Sequence, residues 1–543
     1  MNQKADKHPP AALSSAGVTS EQRTAFVPQA APDVKGTRGT PPLAGTAKPS
    51  HSFSFRENSR FPRLGWIARL PLAPGTINVV HGSQVETTED WFVEGAWDGS
   101  LEHGDFDRSY CFFGSGIRLR GDAVQIVASR ATVDSLFYWQ SGSEVVVSNS
   151  LLLLLASTGA RLDARHSYER EFSGAVKGIR KYKQEIPVIH DTIREIRQLY
   201  FGNLTIADGR TRIELPDCPE TFSTYAQYRA FLVDKLQAIC ANATSAARRH
   251  PMACYATLST GYDSPAIATL AKKHCGIDVC ITTNPEARGA TPVEDARSLA
   301  ETLGMKTVLI DVADGSLGKR ELFYYAANYQ HFEMAFDKAA RIFEAKDSPV
   351  LLLTGYHGDK VWDRNLKQVF QSDELRRGDM SGKGLGEIRL KSGFVNAAIP
   401  FLGAREVSQI VAISRSPEMA AWSVGGDYDR PIPRRICEEA GLERESFGQR
   451  KHKITSHKAR PPDPDLRAAF ERDLKSKFAI GPARLLLFEL LDRMAYRLNR
   501  YKAFNFLAAW KRSLLFGKPH LRMVLFIWAV NRAADMLQRE TRS

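Results

Sequence analysis

The sequence predicts an α/β protein in which a parallel sheet flanked by helices follows a mainly antiparallel α+β region. Three observations carry that expectation. Short runs of period two, broken by Gly, Asp and Ser turns, fill residues 59–217. From residue 221 the period lengthens, and apolar runs of strand length alternate with helical patterns. One such run, residues 252–259, passes through a small polar turn straight into a helical pattern, the place where open parallel sheets bind ligands.

The elements follow in order. Residues 1–58 are rich in Ala, Pro, Ser, Thr and Gly with almost no bulky apolar periodicity, and are expected to form a disordered tail. Within 59–217 the alternating runs at 124–128, 145–148 and 203–207 read as strands. The next domain is assigned to 218–460. It opens with a helix over 221–249, whose apolar positions are Tyr228, Leu232, Leu236 and Ile239. Strands are then expected at 252–259, 278–283, 306–312 and 350–354, and helices at 264–274 and 292–303. The second of these helices has Thr291 and Glu294 as a capping box, Pro292 at its first position and Gly304 as its stop. Residues 461–543 form a basic helical region, expected to pack on the rest, with peripheral membrane contact as the less favoured reading.

Composition narrows the classes. The 543 residues carry a formal charge of +13, an excess that suits nucleic acid, anionic lipid or polyanionic substrates, and equally a solvated surface with basic tails. The seven cysteines include no CxxC pair, so free thiols in a reducing compartment are expected, with no structural zinc. The longest uncharged apolar runs, 151–156 and 523–530, fall far short of the roughly 20 residues of a spanning helix. No signal-peptide core is visible, and the expectation is a soluble, cytoplasmic protein.

The most informative stretch is Leu258-Ser259-Thr260-Gly261-Tyr262-Asp263-Ser264-Pro265. Amides at the start of a helix favour an anion, and Gly261 allows close backbone approach. Ser259 and Ser264 add hydroxyl donors. Asp263 would repel a bare phosphate, which points to a bridging Mg²⁺. The loop lacks the GxxxxGK[ST] pattern and resembles instead the SGGxDS loop of the PP-loop ATP pyrophosphatases, with Thr260 in place of the first Gly. In those enzymes the loop holds the pyrophosphate that leaves on adenylation.

A second stretch, Leu351-Leu352-Leu353-Thr354-Gly355-Tyr356-His357-Gly358-Asp359, is a buried strand ending in a glycine turn with an acid. It resembles the LLTGxGxDE segment of asparagine synthetases and β-lactam synthetases. The resemblance implies ATP as substrate and Mg²⁺ shared by Asp263 and Asp359. Ser259, Gly261, Ser264 and Gly355 would then lie at the phosphates, and Leu258 and Thr282 at the adenine. Lys360 replaces the usual second acid. Tyr356 stands where β-lactam synthetases have a Tyr that activates the amine with a downstream Glu, here matched to Glu387, with Asp379 as the alternative. The segment 430–435 and then Phe447-Gly448-Gln449-Arg450-Lys451 resemble the late segment that supplies a charge-stabilising lysine, matched to Lys451, with Lys453 as the alternative.

The stretch 128–151 resembles the class II glutamine amidotransferase domain, an Ntn-type α+β fold. That activity needs an N-terminal Cys, whereas Met1 is followed by Asn2 and Cys111 sits in an apolar strand pattern. Together the resemblances imply an AMP-forming amide ligase without its own glutaminase nucleophile. Its partners would be a small-molecule or peptide carboxylate and an amine donor. No nucleic acid is expected. The rival readings are a tRNA-modifying PP-loop enzyme and a catalytically inactive scaffold.

Overall fold

Apolar runs of strand length become a parallel sheet whose Val350–Thr354 and Phe394–Ala398 strands are buried on both faces. In spatial order its five strands are Lys306–Ile310, Val279–Thr283, Ala253–Thr257, Val350–Thr354 and Phe394–Ala398. This computed structural model describes residues 51–542 apart from 218–219, 287–294, 312–314, 331, 450–459, 479, 484, 488–489 and 491–520. The fifth strand was not anticipated. Asn396 and two alanines mask its apolar character, yet all five residues are buried, and the Asn396 side chain accepts the Thr354 hydroxyl at 2.8 Å on the neighbouring strand.

The helix before this sheet runs over Tyr225–Thr244, with Thr224 capping the Gln227 amide. The helix after the Ala253–Thr257 strand spans Asp263–Cys275 and ends at Gly276 in the left-handed region. The expected helix at 292–303 is described over Arg297–Thr302. Its Thr291–Glu294 capping box lies outside the described residues.

The first half is a sandwich of two antiparallel-rich sheets. One orders His51–Glu57, Gly75–His81, Trp66–Pro71, Glu144–Ser148, Leu136–Gln140, Glu195–Leu199 and Glu185–Pro187. The other orders Arg210–Glu214, Asn203–Ala207, Ala123–Val127, Phe112–Arg120, Trp91–Trp97 and Glu86–Thr87. Strand alternation sets the faces. Trp66, Ala68 and Leu70 meet Ile117, Val124 and Ile126 between the sheets, while Ile67 turns outward to the leucines of the Leu151–Thr158 helix.

One boundary expectation is corrected. His51–Glu57, placed in the tail, is a strand paired in parallel with Gly75–His81. Phe53 and Phe55 explain it: two residues apart, they reach the same face and pack edge-on to Phe92. Residues 1–50 lie outside the described residues. One core cluster runs from Cys111, Phe113 and Tyr200 to Leu236, Leu351 and Val395.

Leu521–Arg542 packs against both Leu151–Thr158 and Glu321–Ala327. Asn531 exchanges two 2.9 Å hydrogen bonds with the Leu162 backbone, and Phe526 meets Phe172 at 4.8 Å. Among the described residues, no helix is long and apolar enough to cross a membrane. A buried ion cluster ties the halves together. Arg389 reaches Glu94 at 2.9 Å and Asp134 at 2.7 Å, with all three side chains nearly inaccessible.

Candidate active site

The Ala253–Thr257 and Val350–Thr354 strands are neighbours in the sheet, so the turns that leave their carboxyl ends emerge side by side. They touch. A Cβ at Gly355 would lie 2.8 Å from Asp263 Cβ, and one at Gly358 would lie 2.6 Å from Asp263 Oδ1. Both glycines are therefore required by the approach of the turns. Gly261 differs: a Cβ there would meet only ordinary contacts at 3.5 Å, from Ser259 Oγ and the Tyr428 hydroxyl, so packing within the protein does not explain it. Gly358→Ala is expected to push the second turn off Asp263 and to destabilise the fold by about 1–3 kcal/mol. Urea unfolding reads the cost.

The turns open into a cavity of about 260 Å³. Its lining includes Leu258, Ser259, Gly261, Asp263, Ser264, Thr282, Gly355, Tyr356 and Asp359. Nine sequence-selected residues thus share one space. Ser259 Oγ and Ser264 Oγ are 2.7 Å apart, and the Gly261 amide donates to Ser259 Oγ at 3.3 Å. The helix begins at Asp263, so Ser264 lies in its first turn. The carbonyl of Thr260 accepts the Gly448 amide at 2.8 Å, anchoring the late segment to the loop. Thr282 is buried with its Oγ1 lacking a hydrogen-bond partner among the described residues. Lys451 and Lys453 lie outside the described residues.

Both acids are held by cations. Arg430 Nη1 lies 2.5 Å from each Asp263 oxygen, and Lys360 Nζ lies 2.8 Å from Asp359 Oδ2. Burial works against the Arg430 charge, but Asp263, Tyr428 and Asp359 outweigh it and raise its pKa. Arg434, fully buried, donates to the Tyr262 hydroxyl and fixes the residue before the helix. Arg430 opens the 430–435 segment, but nothing in the sequence marks it as the partner of Asp263.

Glu387 is corrected. Its Oε2 accepts the Ser150 hydroxyl at 2.7 Å and its Oε1 the Leu151 amide at 3.0 Å. It serves the N-terminus of Leu151–Thr158, where a carboxylate is favoured, and it does not line the main cavity. The acid beside Tyr356 is Glu333, which lies earlier in the chain. Its Oε1 accepts the Gly382 amide at 2.8 Å, and its Oε2 has no hydrogen bond of normal geometry among the described residues. Burial pushes Glu333 up to about 7, against the Gly382 amide, the Tyr356 hydroxyl and Arg377. Burial and then Glu333 raise Tyr356 well above the phenol range. Asp379, the alternative acid, also lines the cavity and accepts the Ser381 hydroxyl at 2.7 Å.

His357 is excluded as a base. It is buried at φ 78°, stacked 4.3 Å from Phe401, and burial lowers its pKa to about 3. Buried Arg377 completes this end of the cavity, donating to the Thr132 carbonyl at 3.0 Å and to the Ser381 carbonyl. One end thus offers loop amides, hydroxyls and two acid–cation pairs, and the other a phenol, two acids and a guanidinium. No family model matches the chain, and no curated protein matches it in sequence.

Proposed function

We propose that the protein is an ATP-dependent, AMP-forming amide ligase of the asparagine-synthetase type, with a PP-loop fold in its second half and no glutaminase step of its own. The observation that supports this reading best is the contact of the two turns, which puts Asp263 and Asp359 on one cavity beside the Ser259–Ser264 loop. Among the described residues no three His, Cys, Asp or Glu side chains are placed to hold an ion. Two carboxylates without a full cage suit Mg²⁺, which keeps other oxygens from phosphate and water. Asp263 and Asp359 would hold it, and it would supply charge neutralisation at the phosphates.

In this account a substrate carboxylate attacks the α-phosphorus of ATP and pyrophosphate departs. Ser259, Ser264 and the Gly261 amide bind the departing group. Leu258 and Thr282 border the adenine, where the unpartnered Thr282 hydroxyl offers a polar contact. An amine then displaces AMP. Its proton passes to Glu333, with Tyr356 orienting it. Cys111, 1 % exposed within the core, is not placed to act as a glutaminase nucleophile, which supports an amine supplied by a separate donor.

A Glu333 pKa near 7 fixes the sign of the pH dependence. The group is protonated and idle below that pH, so amide formation should rise as pH passes through about 7. Glu333→Gln should remove this limb and slow the amide step by about 10²-fold or more, while pyrophosphate exchange stays near wild type. The assignment itself is tested by ATP–pyrophosphate exchange against a panel of carboxylates. Carboxylate-dependent exchange supports it. Its absence across the panel, with ATP bound, would favour an inert nucleotide-binding scaffold.

A further inference from the structure

The two acids assigned to the metal each carry a cation of the chain: Arg430 on Asp263 and Lys360 on Asp359. All four side chains line the same cavity. Their formal charges cancel. A dication arriving alone would meet no net negative charge at these two pairs and would have to displace a buried guanidinium. A triphosphate arriving with a dication brings negative charge of its own and gives the displaced cations a new partner. Guanidinium geometry suits phosphate oxygens as well as it suits a carboxylate.

Arg430 is built into its place. Its side chain is 3 % exposed, and its guanidinium stands 4.9 Å from the Tyr428 ring. Asp429 before it is held by the Ser423 hydroxyl and the Val424 and Gly425 amides, and Pro431 opens a helix after it. Its Nε is buried without a hydrogen-bond partner among the described residues, so this donor is still to be satisfied. Lys360 is less enclosed, its side chain 16 % exposed. Its Nζ lies 5.1 Å from the Phe370 ring, and only the absence of a Cβ at Gly378 leaves room for its Cε.

We propose that Arg430 and Lys360 are exchangeable counter-ions, holding Asp263 and Asp359 when no nucleotide is bound and passing to the phosphates of a nucleoside triphosphate that arrives with its divalent ion. The inference rests on the nucleotide-binding reading above. It makes divalent-ion affinity conditional on nucleotide, and it assigns Arg430 and Lys360 as phosphate ligands.

The test uses the full chain and Mn²⁺, followed by electron paramagnetic resonance. Without nucleotide, the wild type should bind no Mn²⁺ below about 1 mM, whereas Arg430→Met and Lys360→Gln should each bind at least about tenfold more tightly. In a second arm, α,β-methylene-ATP is titrated by calorimetry with EDTA present. The wild type should retain metal-free nucleotide binding, and each variant should lose about tenfold or more. Lys360→Gln, at a partly exposed site, keeps the test open if Arg430→Met fails to fold. Nucleotide-free Mn²⁺ binding as tight in the wild type as in the variants would overturn the inference. So would metal-free nucleotide binding that neither variant weakens. Both results leave the nucleotide reading standing. A wild type that binds no nucleotide, with or without Mn²⁺, would overturn that reading and the inference together.

Discussion

Asp263→Asn should lower ATP–pyrophosphate exchange by about 10³-fold, in line with the loss of a preorganised charge at a site of phosphoryl chemistry. The expectation follows from position. Asp263 is the first residue of its helix, lines the cavity, and is the side chain against which Gly355 and Gly358 are fitted. Asn keeps the shape, so the turns should still seat against it, and it can still accept from Arg430. What disappears is the charge that would share the divalent ion. Unchanged circular dichroism with exchange lost is the expected pair of results. Exchange within about tenfold of wild type would remove Asp263 from the chemistry.

The largest effect on stability should come from Arg389→Met. Arg389 Nη2 also reaches Glu94 Oε1 at 3.1 Å, an oxygen that takes the Ser115 hydroxyl at 2.7 Å and the Asn149 amide at 3.2 Å. Burial alone would drive Glu94 towards protonation, and Arg389 opposes it. Removing the guanidinium leaves two buried acids without their cation, at a cost of about 3–5 kcal/mol. Because Glu94 and Asp134 belong to the first half and Arg389 to the second, unfolding should become easier for both together. Adding Glu94→Gln and Asp134→Asn should recover much of the loss, since buried ion clusters replaced as a whole are often near neutral. A loss below about 1 kcal/mol in urea unfolding would contradict this account.

The parallel strands and the two glycine turns were legible because each is a local pattern: a continuous apolar run, then small residues at a strand end. What the sequence hid was set by distance along the chain. Glu333 reaches Tyr356 through the 3₁₀ turn at Met334–Phe336, to which no motif pointed. Glu387 follows Tyr356 at a plausible spacing, yet its carboxylate is drawn to a helix N-terminus on the other half of the molecule. Arg430 could be seen as part of a basic segment, but nothing local tells a surface arginine from one whose guanidinium is nearly inaccessible on Asp263. The strand at His51–Glu57 was missed because composition spoke for a tail, while Phe53 and Phe55 carried the period-two signal.

The central claim is that the turns after Ala253–Thr257 and Val350–Thr354 together grip the phosphates of ATP. Calorimetric titration of α,β-methylene-ATP with Mg²⁺ into the wild type, Asp263→Asn and Asp359→Asn tests it most directly. The account predicts binding by the wild type below about 1 mM and at least about tenfold weaker binding by each variant. A wild type that binds nothing at that concentration, or two variants that bind as tightly as it does, would contradict it.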